Sequence, residues 1–252
     1  MNRLLLRSGL VAAMLSLLAS AAFAVPAPGL NLAWNNCASQ GGVQNMAFTC
    51  DDDGLQETLV GTFVLTDPIA GVTGVEVVLD LISSTATLPA WWDLGTGGCA
   101  EGDIAANAVA PTGTLCRDWA VGSGQGGLAA YGNPPGTSIA PADEPAHRRV
   151  LLAFAVAAAK NLVIAREYFT FNLNIQTAHT VAGPPGPCTG CLTPVCIVLN
   201  SVNVVPGTNA GTLVGNPSAP LSNQATWQGP GGNCAAVPVK NATWGQVKAL
   251  YR

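Results

Sequence analysis

The chain has 252 residues, with 14 acidic side chains against 10 basic ones, a net charge of −4 and only 10% charged residues in all. No basic run occurs, which argues against nucleic acid as a partner, and the length suits one large all-β domain with a real core. So little charge leaves the polar surface to Asn, Thr, Ser, Gln and backbone, and gives weak protection against self-association.

The N-terminus reads as a secretory signal. Arg3 and Arg7 precede an apolar run from Leu10 to Leu18, and Ala22-Phe23-Ala24 is a small-x-small cleavage site. The run is too short for a membrane anchor, and no stop-transfer charges follow it. Residues 1–24 are therefore assigned to the signal, 25–228 to a β domain and 229–252 to a C-terminal arm. The expected product is secreted or held at the cell surface, without a transmembrane segment.

Leu30, Leu32 and Trp34 alternate and predict a first strand, and residues 38–49 predict a turn and a return strand. Asp51-Asp52-Asp53-Gly54 is a loop. Thr58 to Thr66 predicts a strand with Leu59, Phe63 and Leu65 on one face. Val75 to Ile82 predicts another, with Val77, Leu79 and Leu81 opposite Glu76 and Asp80. Residues 95–146 read as irregular apart from a short strand over Thr114 to Ala120, a long loop region for a compact domain. Arg148 to Val156 alternates Val150, Leu152, Phe154 and Val156 as a strand, and Ala157 to Ala165 predicts a helical turn.

The clearest strand follows. Phe169, Phe171, Leu173 and Ile175 alternate with Tyr168, Thr170, Asn172 and Asn174, the period of a half-buried strand. A Pro/Gly-rich loop carrying Cys188 and Cys191 leads to a second strand over residues 194–205. A short strand is expected around Thr226-Trp227, and Thr243 caps a brief helix with Trp244, Val247 and Tyr251 on one side. Many short strands separated by turn residues predict an antiparallel β-sandwich with long disulfide-tied loops and a short C-terminal helix, a jelly roll being the alternative.

The eight cysteines are Cys37, Cys50, Cys99, Cys116, Cys188, Cys191, Cys196 and Cys234. An even number in an exported chain points to four disulfides. Local spacing suggests Cys37–Cys50 and Cys99–Cys116. The other four allow three pairings, of which Cys188–Cys191 with Cys196–Cys234 is preferred. A four-thiolate zinc site on these last four is the competing reading.

Leu88-Pro-Ala-Trp-Trp, Glu167-Tyr-Phe-Thr-Phe-Asn, Cys188-Thr-Gly-Cys-Leu-Thr-Pro-Val-Cys and the ending Thr243-Trp-Gly-Gln-Val-Lys-Ala-Leu-Tyr-Arg resemble a group of exported bacterial proteins of unknown function. The resemblance implies a bacterial, secreted protein and carries no activity. The architecture is broadly similar to immunoglobulin or cohesin modules, an analogy of fold that fixes no function.

No catalytic constellation assembles in the sequence. Gly122-Ser123-Gly124 lacks the spacing of a nucleophile elbow, and His147 and His179, both in apparent loops, are the two candidate bases. Asp93, Glu101, Asp103, Asp118, Asp143 and Glu144 are candidate paired carboxylates for glycoside hydrolysis, with solvated loop acids as the plain alternative. Asp51, Asp52 and Asp53 with Glu57 form a weak calcium candidate that lacks the full ligand ladder. Trp91, Trp92 and Trp119 are either core or a platform for stacking sugar rings. The expected role is a non-catalytic module without cofactor that binds an extracellular protein or glycan, or builds extracellular structure. The runner-up is a carbohydrate-binding or carbohydrate-active protein using Trp91 and Trp92.

Overall fold

The computed structural model describes residues 27–110, 113, 116–132, 145–182, 186–207, 211–229 and 234. The expected signal, the C-terminal helix, Asp143 and Glu144 lie outside these residues. Among the described residues twelve strands run in chain order: β1 (Gly29–Trp34), β2 (Asn45–Met46), β3 (Gln56–Val64), β4 (Ile69–Ser83), β5 (Ile104–Asn107), β6 (Arg117–Asp118), β7 (Gln125–Gly132), β8 (His147–Leu162), β9 (Glu167–Gln176), β10 (Val195–Pro206), β11 (Thr212–Val214) and β12 (Gln224–Trp227). Single-turn 3-10 segments occur at Ala38–Gln40 and Ala90–Trp92.

The strands form two sheets. The smaller has the order β1-β3-β9-β5, with β6 running parallel to β9. The larger has the order β2-β12-β10-β4-β8-β7, with β11 added to β10. Neighbours are antiparallel except in the β6–β9 and β2–β12 pairs. One apolar core joins the sheets. The small sheet contributes Leu30, Leu32, Trp34, Leu59, Phe63, Phe171, Leu173 and Ile175; the large sheet contributes Val75, Val77, Leu79, Leu81, Val150, Leu152, Phe154, Val195, Ile197 and Leu199. The alternation seen in the sequence thus turns one face of each sheet inward, as a β-sandwich requires.

The β9 pattern breaks at its start. Gly61 pairs with Phe171 but Thr62 pairs with Phe169, so β9 holds one residue more than β3 at Thr170. Such a bulge exchanges the faces of everything beyond it. Tyr168, expected outside, therefore enters the core and stacks on Phe63. Phe169, expected inside, packs on the outer face with Cys37, Val60 and Cys116.

Gly61 sits under the Phe171 ring, and a Cβ there would lie 2.0 Å from Phe171 Cε1. Gly61→Ala therefore overpacks the site, with an expected loss of about 1–3 kcal/mol in urea unfolding. Pairing it with Phe171→Leu should recover part of the loss.

Three sequence expectations are corrected here. Ala157 to Ala165 forms no helical turn, because β8 runs on to Leu162 opposite Ile69 in β4, which supplies backbone partners that outweigh the helix propensity of the alanines. Within 95–146, β6 falls in the short strand expected over Thr114 to Ala120, but β5 and β7 lie where no strand is expected, and β7 is a Gly- and Ala-rich strand paired with β8 that carries no alternating pattern. His147 lies in strand β8 rather than in a loop.

The disulfides are Cys37–Cys116, Cys50–Cys191, Cys99–Cys188 and Cys196–Cys234. Only Cys196–Cys234 matches the expected pairing. Cys37 follows β1 and turns to the outer face of the small sheet, whereas Cys50 packs on the main core. Cys188 and Cys191 share a loop but reach two different neighbouring segments. Each thiol is engaged in a disulfide, which removes the four-thiolate zinc reading.

Candidate binding groove

The small sheet turns a polar face outward. Asn172 of β9 lies between Val60 of β3 and Asn107 of β5, and Asn174 lies between Thr58 and Ala105. Past the end of β1, Asn35 N–H donates to the Thr58 carbonyl at 2.9 Å. Asn35 has φ 67°, a left-handed conformation that Asn tolerates better than most residues. Together Asn35, Gln56, Thr58, Asn107, Val109, Ala110, Asn172 and Asn174 line an open groove of about 390 Å³. Among the described residues no ionisable side chain is in its lining.

The groove is held by its own amides. Asn172 Nδ2 donates to the Val109 carbonyl at 2.7 Å and to Asn107 Oδ1 at 3.3 Å. Thr58 Oγ1 donates to Asn174 Oδ1 at 3.0 Å, and Val109 N–H donates to Asn107 Oδ1 at 3.0 Å. Asn172 is 7% exposed, and its Oδ1 accepts no hydrogen bond from the described residues. Beside the groove, Cys37, Cys116, Val60 and Phe169 form a small apolar cluster against which Ala110 packs. The Cys37–Cys116 bond thus fixes the segments that carry Asn35 and Ala110.

The tryptophans are elsewhere. Trp91, Trp92 and Trp119 are fully buried in the main core. Trp91 and Trp92 meet edge to face, and both pack on Trp227. Trp91 Nε1 donates to Thr180 Oγ1 at 2.8 Å. The sugar-stacking platform is therefore corrected to core: rings with no exposed face cannot stack on a ligand. The Cys50–Cys191 and Cys99–Cys188 bonds close this end of the core, where Trp227 Nε1 donates to the Cys191 carbonyl at 2.7 Å.

The acidic turn is also committed to structure. Both Asp53 oxygens accept backbone N–H bonds from Thr180, Val181 and Ala182 at 2.6–2.9 Å. The Val181 N–H leads the hydrogen bonds that hold this carboxyl below the usual carboxylate range, with the others and His179 adding to it against a desolvation cost. Asp52 accepts from Gly54 N–H. Glu57 stands on β3, where burial raises its carboxyl. Asp51, Asp52, Asp53 and Glu57 do not converge, and no group of three or more His, Cys, Asp or Glu side chains among the described residues is placed to hold a metal ion. The calcium candidate is corrected accordingly.

Of the candidate acids and bases, Asp103 and His179 form one pair. Asp103, almost fully buried, pairs with His179 Nδ1 at 2.8 Å. Asp118 accepts from Ala120 and Gly122 N–H groups, and Glu101 accepts from Gly97 N–H. Ser123 Oγ donates to the Ala120 carbonyl. His147 Nε2 lies 3.0 Å from Asp80 Oδ1 on the outer face of the large sheet. There Arg149 Nε and Nη2 grip the Asp80 carboxylate at 2.8 and 2.7 Å, and Asn200, the extra residue of a bulge in β10, donates to it too. These side chains are almost wholly buried, so the cluster offers no open face to a substrate.

The alternation of β9 marks Asn172 and Asn174 as the polar face of their strand. Alternation within one strand carries no sign of Asn35, Gln56, Thr58 and Asn107, which come from three other segments. Among the described residues no helix is long and apolar enough to cross a membrane. Compared with protein families, characterised proteins and solved structures, the chain matches none.

Proposed function

We propose that this chain is an exported, non-catalytic recognition module whose two sheets form a frame and whose groove on the small sheet meets an extracellular partner. The observation that carries this reading is the groove itself: an open site of about 390 Å³, on a covalently fixed face, lined by amides, a hydroxyl and small apolar groups. That volume falls in the range of ligand sites, roughly 300–1,000 Å³. Glu101, Asp103, Asp118, His147 and His179 are engaged in local structure, which supports binding without chemistry. Four disulfides support an oxidising compartment.

The test is retention on envelope material from the cells that make the protein. Val109 is 66% exposed and lines the groove. Val109→Glu, combined with Gln56→Trp, fills the groove with bulk and charge at surface positions, where stability should change by only about 0.5 kcal/mol. The expected result is at least a tenfold loss of retention with an unchanged melting temperature. Equal retention of wild type and variant would remove the groove from the function.

A further inference from the structure

We infer that the groove takes a neutral, polyhydroxylated chain, a glycan without carboxylate or sulfate groups, and reads its hydroxyls through the side-chain amides. This rests on the groove being the recognition site. Four observations lead to it. Among the described residues the lining has no ionisable group, so a charged ligand would be desolvated there without a counter-charge from them. The floor is sheet, and the backbone of β9 is already paired with β3 on one side and β5 on the other, so a peptide lying over β9 finds no free strand edge beneath it. The ligand must be read by side chains.

The third observation is the unpartnered acceptor. Asn172 Oδ1 is buried in the lining and lacks a donor among the described residues, and an unmet buried acceptor costs about 1–3 kcal/mol. Both Asn172 donor bonds are directed at Val109 and Asn107, so what the site lacks is a donor from outside. A hydroxyl supplies one, and its oxygen can accept from a neighbouring amide at the same time. Side-chain amides offer both roles, so a row of them matches a chain of vicinal hydroxyls. Fourth, exposed Val109 and half-buried Ala110 give one wall an apolar strip suited to the C–H face of a sugar ring.

The experiment is calorimetric titration of the oxidised, signal-free protein. The probes are neutral oligosaccharides (gluco-, xylo- and manno-configured) and, as the opposing arm, oligogalacturonate. Binding to at least one neutral probe is expected, with none to the acidic probe. Asn172→Leu removes the acceptor, and Asn174→Ala removes a half-exposed amide with less effect on packing. Each should weaken binding at least tenfold, while Val109→Glu abolishes it. Absence of binding to every neutral probe overturns the inference, as does binding that both Asn variants leave intact. If envelope retention still depends on the groove while no neutral probe binds, the glycan assignment fails and the recognition site stands. If retention is indifferent to the groove, both fail.

Discussion

Arg149→Met should lower the unfolding free energy by about 3–5 kcal/mol, the cost of leaving a buried carboxylate without its principal counter-ion. Asp80 is fully buried on β4, directly across from Arg149 on β8. Desolvation alone would raise its carboxyl, but hydrogen bonds from His147 and Arg149 and their charges outweigh that and hold it below 3.8. The sign follows from the direction. A carboxyl lowered on folding contributes stability that is fully present above its unfolded value and is lost as pH falls through its folded one. Wild-type stability should therefore fall steeply once pH drops below about 3.8, and Arg149→Met should lose most of that dependence. Asp80→Leu with Arg149→Met should cost less than the two single changes added together, because the double variant leaves no carboxylate unpaired. Urea unfolding of the four proteins between pH 3 and pH 7 measures all of this, and equal losses at every pH would contradict it.

Removing the Cys50–Cys191 bridge by Cys50→Ala with Cys191→Ala should cost roughly 4–5 kcal/mol, because the bond spans 141 residues. The adjacent Cys99–Cys188 bond spans 89 and should be worth nearly as much. A local Cys37–Cys50 bond would have contributed roughly 3 kcal/mol on the same chain-entropy basis. Together the two long bridges tie the Cys188–Cys191 loop to two distant segments over the buried Trp91, Trp92 and Trp227. The double variant should thus lose its indole fluorescence signature of burial at lower urea than wild type. A cost below about 1 kcal/mol would show that the bond adds little beyond the packing around it.

The strand pattern was legible because burial of one face imposes a period of two. Leu59 and Phe63, Val77, Leu79 and Leu81, and Val150 to Val156 all lie where alternation placed them. It failed at Thr170, where one added residue turned Phe169 out and Tyr168 in. A bulge leaves no mark in hydrophobicity, since the exchanged residues are both aromatic. Alternation also could not reveal that Asp80, on the nominally outer face, is buried: that depends on Arg149 and Asn200, which arrive from other strands. Disulfide pairing failed for a related reason. Spacing favours near neighbours, but the fold brings Cys50 to Cys191 and Cys99 to Cys188 across long separations. The groove was half legible, since Asn172 and Asn174 stood out on their strand while their partners on β3 and β5 became neighbours only through sheet order. Trp91 and Trp92 drew attention by size, the same property that places them in the core.

The recognition account is tested most directly by following the side-chain amide and indole resonances of isotope-labelled protein as the best neutral oligosaccharide is added. The account predicts that Asn35, Gln56, Asn107, Asn172 and Asn174 shift in a saturable manner while the Trp91, Trp92 and Trp119 indoles stay fixed. Shifted indoles with unmoved groove amides would contradict it.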